Sequence, residues 1–427
     1  MDGGDESAVG AADAGASACQ PCGAPAPAKP RKRMRPWEEP GFRCPYLDTI
    51  NRMILDFDFE KACSVTGHDF NVYACLVCGK FFQGRGTHTQ AYTHSLQESH
   101  HVYMNLQDGR TYCLPDGYEV VDSSLRDIQN MLDPKFTMAS IDTLDRVPVY
   151  ARGVDGSDYM PGLIGLNNIR HTDYMNVVLQ ALARVPPLRD FFLLPENYAH
   201  IKSPLVLEFG ALMRKMWSPH NFKGQVSPHE LLQAIMHVSG NRFKIGTQAD
   251  PMEFLTWLLN ALHTDLGGTR KRGSDALERN ILPQVPLITC LSKFDGHTTQ
   301  EMMNGDQRRY KLTRLPKYLI VHIKRFSKNT QQEIEKNPTI VNFPVRNLEM
   351  ANFTELAPDA CGTPTKFHLM CSIQHDGLPE AGSYRGFVHF RANDAWYEVQ
   401  DLHVNGVHPQ LISVSESYIQ VWRAADD

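Results

Sequence analysis

The chain has 427 residues, with 42% hydrophobic and 21% charged side chains; at about 100–200 residues per domain, that predicts two or three domains of ordinary soluble composition. A net charge of −5 gives no whole-chain reason to expect nucleic-acid binding, and no apolar run reaches the ~18 residues of a membrane helix. Ten cysteines, most of them isolated, predict a reducing compartment rather than a disulfide framework, and the N-terminus lacks the apolar stretch of a secretory signal.

Residues 1–40 read as a disordered tail. Residues 1–28 are rich in Ala and Gly and cannot bury a core. Cys19 and Cys22 have no other ligand nearby and are read as incidental. Residues 29–35 (KPRKRMR) form a compact basic cluster of the nuclear-localisation type. A first folded unit, rich in Cys, His and aromatics, is expected over 41–136, and a linker over 137–160. A second unit is expected over 161–425. It begins with helical patterns: Met175, Val178, Leu179 and Leu182 fall on one stripe, as do Phe254, Leu258, Leu259 and Leu262. Later segments read as strands: 318–326 (YLIVHIKRF), 366–373, 386–390 and 418–422. Helices first and strands later predict an α+β fold. Pro186-Pro187 reads as loop punctuation and Trp396-Tyr397 as core. The basic groups at 270–272, 311–314 and 324–325 read as solvated faces, which leaves direct RNA contact an open question.

In the first unit, Cys75-x2-Cys78 is followed by His94 and His100. Two thiolates and two imidazoles make a tetrahedral donor set for zinc, with the Cys pair on a turn ending at Gly79. His68, His88 and His101 are nearby alternatives for the imidazole positions. CLVCGKFFQGRG, AYTHSLQESHH and YCLPDGYEVVDSS together resemble the ubiquitin-protease-type zinc finger. In members of that family that bind ubiquitin, a pocket holds the free C-terminal Gly-Gly. The resemblance puts Arg85 and Tyr112 at pocket positions, where a guanidinium pairs bidentately with a carboxylate. Some members carry a further Cys where this chain has Gln83. A second metal site using Cys44 and Cys63 is therefore incomplete, and Cys44, Cys63 and Cys113 read as buried core thiols.

Residues 165–182 (GLNNIRHTDYMNVVLQAL) resemble the cysteine box of ubiquitin-specific proteases, in which a turn feeds a helix whose first residue is the nucleophilic Cys. A helix N-terminus lowers a thiol's pKa. This chain has Asp173 there, and His171 at the position of the Asn that helps stabilise the oxyanion. QADPMEFL (248–255) resembles a second helix of the family. GSY (382–384) and WYEVQD (396–401) resemble its third box, where the general-base His is replaced by Ser383 and the residue that orients it by Gln400; Asp401 keeps its place. Cys290, Cys361 and Cys371 belong to other segments. The resemblance thus implies a papain-like ubiquitin-specific-protease fold without its chemistry. The fingers insertion, which carries two C-x-x-C pairs in active members, is expected to be short, with only 268–281 in its place.

A zinc finger of this type ahead of a protease fold lacking Cys and His resembles the catalytically inactive, spliceosome-associated branch of the family. CPYLDTINR, LDFDFEK, NPTIVNFP and QDL add to that likeness. It implies a nuclear, non-catalytic role in pre-mRNA splicing, with proteins of the tri-snRNP as partners and assembly or maintenance of that particle as the task. A ubiquitin reader, or a deubiquitinase-family protein in ubiquitin signalling, is the alternative.

Overall fold

Val72–Cys75 (β1) is buried at every position, as a strand covered on both faces should be. The computed structural model describes residues 35, 37, 42–268, 284–301, 307–329, 331–354, 362–379 and 381–425. The tail cluster (Arg35 apart), Cys19, Cys22, Cys361 and residues 270–272 lie outside them, as does most of 268–281. Contacts divide the chain into Met1–Arg43 and Cys44–Asp427; all that follows concerns the second unit.

β1 is an interior strand of a five-stranded antiparallel sheet with Phe81–Gln83 (β2), Val102–Asn105 (β3), Thr111–Cys113 (β4) and Glu119–Val120 (β5), in the order β2-β1-β3-β4-β5. The turn from β1 to β2 needs glycine: Gly79 has φ +74°, and a Cβ there would meet the Ile54 carbonyl oxygen at 2.8 Å. Helix α1 (Gln90–Glu98) lies between β2 and β3 and ends on Ser99 in the left-handed conformation. Cys44, Cys63 and Cys113 are buried, as expected.

Arg126–Leu132 (α2) and Met138–Thr143 (α3) follow. Within 137–160, α3 carries a capping box between Thr137 and Ser140, and Ile141 and Tyr159 join the core of the protease-like fold. That core is built from Asp173–Leu182 (α4), Pro186–Leu193 (α5), Pro204–Trp217 (α6), His229–Val238 (α7) and Pro251–Asp265 (α8). Every residue of α4 is buried, not one stripe alone, because the helix packs against α8 on one side and the main sheet on another. Pro186 and Pro187 open α5 rather than punctuate a loop. Their fixed φ suits the first helical turn, and the missing N–H would be unpaired there anyway.

The main sheet comprises Tyr318–His322 (β6), Leu348–Glu349 (β7), Lys366–Leu378 (β8), Ala381–Phe390 (β9), Ala395–Gln400 (β10), His403–Val407 (β11) and Ser417–Ala424 (β12). Its order is β6-β12-β8-β9-β10-β11, with β7 paired to β8. Cys371 and Trp396 are buried in it, as expected. One basic group departs from the solvated-face reading. Lys324 is exposed, but Arg325 is 1% exposed and donates to the carbonyls of Ser417, Asn337 and Thr339. Its guanidinium thus ties β12 to residues 337 and 339 through three backbone acceptors.

Among the described residues no helix is long and apolar enough to cross a membrane.

Candidate functional sites

Cys75 closes β1, Cys78 lies on the turn that follows, His94 is on α1 and His100 just beyond it. Their ligand atoms all lie within 4.8 Å of one another. Individual pairs are closer: Cys75 Sγ to His100 Nδ1 is 3.5 Å, Cys78 Sγ to His94 Nε2 is 3.3 Å, and His94 Nε2 to His100 Nδ1 is 3.1 Å. Tetrahedral ligation at usual Zn–N and Zn–S lengths puts such atoms roughly 3.3–3.8 Å apart. The donors therefore fit zinc, which would cross-link the turn to the helix. Phe82 stacks on His94 at 4.1 Å and fixes the ring. Among the described residues, His68, His88 and His101 lie outside this group. His101 turns away, its Nδ1 2.8 Å from the Leu114 carbonyl oxygen.

Arg85 and Tyr112 do meet. The guanidinium lies over the Tyr112 ring, 4.1 Å from its centroid, with Nη1 3.5 Å from the Gly117 carbonyl oxygen. The arrangement leaves an exposed Arg85 stacked and oriented on a buried ring.

The second site forms where α4 meets β9 and β10. Asp173 is the first residue of α4, so its carboxylate faces the positive end of the helix. Its Oδ2 accepts from the Tyr384 backbone N–H at 2.8 Å and from Gln248 Nε2 at 3.2 Å. Gln248 also reaches the Gly382 carbonyl at 3.4 Å. Across the same cleft, Gln400 Nε2 donates to Ser383 Oγ at 3.3 Å. Asp173, Ser383 and Gln400, separated by up to 227 positions in their numbering, are thus brought to one place. Burial raises the Asp173 pKa above the ordinary carboxylate range, against the Tyr384 hydrogen bond and with help from the charge of Asp401.

The loop before α4 is held in an uncommon conformation. Arg170 and His171 both have φ +57°, left-handed values that non-glycine residues seldom adopt. His171 is exposed at this turn. Two residues that the sequence reading passed over anchor the loop: Asn168 Nδ2 and Asn176 Nδ2 donate to the two oxygens of Asp401 at 2.9 and 2.8 Å. Their place in the 165–182 box, shared with Asp173, was the signal available for them. On β8, in register with Tyr384 of β9, His375 is 2% exposed, packed edge-on against Tyr384 and Phe326. Burial, with Lys336 adding to it, depresses its pKa to about 4.

Gln248 is positioned by α8. Asp250 caps that helix, accepting from the N–H groups of Met252 and Glu253 at 2.6 and 3.1 Å, with Pro251 at the first helical position.

The family model described as "Ubiquitin carboxyl-terminal hydrolase" matches residues 164–422, and that described as "Zn-finger in ubiquitin-hydrolases and other protein" matches 63–125. The chain is 45% identical to ubiquitin carboxyl-terminal hydrolase 39 of Homo sapiens over 90% of its own length and 80% of the relative's. It is 37% identical to the probable mRNA-splicing protein ubp10 of Schizosaccharomyces pombe, over 88% of each. The solved structure described as that of an essential yeast splicing factor superposes with a TM-score of 0.71 at 25% identity, covering 89% of this chain and all of that one. The mixed α+β architecture, a zinc finger joined to a ubiquitin-specific-protease fold, is the one these matches share, and zinc is the metal of the finger. The chain belongs to the ubiquitin carboxyl-terminal hydrolase family.

Proposed function

We propose that this chain is a non-catalytic member of its family that acts in pre-mRNA splicing, in the nucleus, in assembly or maintenance of the tri-snRNP. The observation that carries the non-catalytic reading is the cluster of Asp173, Ser383 and Gln400. At the positions the family resemblance gives to a thiol, an imidazole and its orienting group stand a carboxylate, a hydroxyl and an amide. Hydrolysis through a covalent intermediate needs an activated nucleophile with a base in reach. Asp173 instead serves its own helix and the Tyr384 N–H, and among the described residues no imidazole is hydrogen-bonded to it or to Ser383. Splicing is supported by two relatives, one a probable mRNA-splicing protein and one an essential yeast splicing factor. The basic cluster at 29–35 agrees with nuclear import.

In this reading Cys75, Cys78, His94 and His100 hold a structural zinc. Two folded modules present surfaces to spliceosomal proteins. A second reading, a ubiquitin reader, rests on the Arg85–Tyr112 stack, which presents a guanidinium suited to a terminal carboxylate.

Affinity purification of the tagged chain from nuclear extract tests the proposal. Tri-snRNP RNAs and proteins in the eluate support it. Recovery of ubiquitin or its conjugates without them favours the reader. A ubiquitin probe with a thiol-reactive C-terminus tests the missing chemistry separately: covalent capture would sink the non-catalytic reading.

A further inference from the structure

Past the end of α4 opposite Asp173 lies a cavity of about 290 Å³ whose lining includes five arginines and none of the Asp173 cluster. Arg184, Arg189, Arg346, Arg391 and Arg423 all line it, against the two carboxylates Asp145 and Asp394. Each carboxylate is already shared. Asp145 accepts from Arg189 at 2.7 and 3.0 Å and from Arg391 at 3.2 Å. Asp394 accepts from Arg346 at 2.7 Å and lies 2.9 Å from His389 Nε2. Asp190, outside the lining, takes the remaining Nε–H of Arg189 at 2.7 Å. Even with Asp190 counted, positive charge is in excess.

Arg184 sharpens the point. It follows the end of α4, is 4% exposed, and donates from Nη2 to Gln180 at 3.2 Å. Its Nε and Nη1 are buried with no hydrogen-bond partner. Native folds seldom leave buried donors of a charged group unmet, because desolvation is then uncompensated. The guanidiniums of Arg184 and Arg189 also lie over the Trp217 ring, at 5.8 and 4.6 Å from its centroid, so their planes are fixed before any ligand arrives.

We propose that this cavity is a binding site for a small, multiply charged phosphate-bearing anion. Guanidiniums converging from different elements suit an acceptor with several equivalent oxygens. The volume exceeds the ~30 Å³ share of a single water many times over, leaving room for more than one phosphate group. The site is separate from the catalytic positions of the fold and is independent of the splicing proposal.

The test is calorimetric titration of the full chain with inorganic pyrophosphate, at ionic strength held constant with sodium chloride. One saturable site per chain is expected. Arg346 and Arg391 sit towards the cavity's exposed edge, so Arg346→Ala/Arg391→Ala should fold and should weaken binding by about tenfold or more. Asp394→Asn should strengthen it, since it removes a competing carboxylate. Absence of saturable heat at millimolar pyrophosphate, or unchanged affinity in the double variant, would overturn the proposal. Arg184→Met is a further arm: if it folds with a native circular-dichroism spectrum, loss of binding is expected, and retention counts against the site.

Discussion

The Tyr384 backbone N–H donates to the carboxylate of Asp173 at 2.8 Å, joining the start of one helix to a strand 211 residues later. This bond holds the carboxylate in place while burial makes its charge costly. The raised pKa means that the protonated acid favours the folded state below the usual Asp pKa of ~3.9. The penalty enters as pH rises through the folded value. Asp173→Asn keeps an acceptor for Tyr384 and removes the charge. It should therefore raise the melting temperature at pH 7, with the gain fading below about pH 4. Thermal unfolding across that range checks this; a gain of equal size at acid pH would contradict it.

Lys215 joins the two modules. Its Nζ lies 3.0 Å from Asp58 Oδ1 and donates to the Phe57 carbonyl at 2.9 Å, with Glu230 at 3.8 Å. The side chain is 7% exposed. Truncating one member of a buried ion pair strands the other, at about 3–5 kcal/mol. Lys215→Ala should lose stability of that order in urea titration, and Lys215→Ala/Asp58→Asn should recover part of it. Equal loss in both variants would show that packing, not charge, is what Lys215 supplies.

Zinc should be present at one per chain by metal analysis. Cys78→Ser, or chelation, should cost the 63–125 region its ordered sheet, because folding and ligation are coupled in such small metal modules. Hydrogen exchange would report this as fast exchange in β1 and β3, with the α4–α8 core less affected. Native exchange rates after verified zinc removal would be the contrary result.

Gly165 opens the loop that carries the Asp173 box. A Cβ there would meet Leu402 backbone atoms at 2.7 and 2.8 Å, and the next residue, Leu166, donates to the Asp401 carbonyl at 2.9 Å. Backbone on both sides cannot yield as a side chain can. Gly165→Ala should cost about 1–3 kcal/mol, seen as a lower denaturant midpoint. Gly117→Ala should cost less by the steric measure, since nothing lies within 4 Å of its Cβ position, although its positive φ of +80° retains a backbone penalty.

Much of the candidate sites was legible in the sequence because their elements announce themselves locally. The apolar spacing of Met175, Val178 and Leu179 marks α4, and Asp250-Pro251 marks the start of α8, as cap and first-turn residue do in any helix. The C-x2-C pair with its glycine marks a metal turn. Which imidazoles join it was not legible: His100 and His101 are adjacent, and only the path of the chain after α1 points one at Cys75 and the other at Leu114.

The sequence by itself determined the α+β order of elements, the zinc donors as a set of candidates, and the carboxylate, hydroxyl and amide at 173, 383 and 400. These depend on residue type and short-range spacing. Only the tertiary structure decided that those three positions share one cleft, that Arg325 is buried rather than solvated, that Lys215 ties the finger to the protease fold, and that five arginines surround one cavity. Those facts depend on which distant segments pack together. Burial and pairing of charge are set by that packing, and a charged residue reads the same in sequence whether it faces solvent or a buried partner.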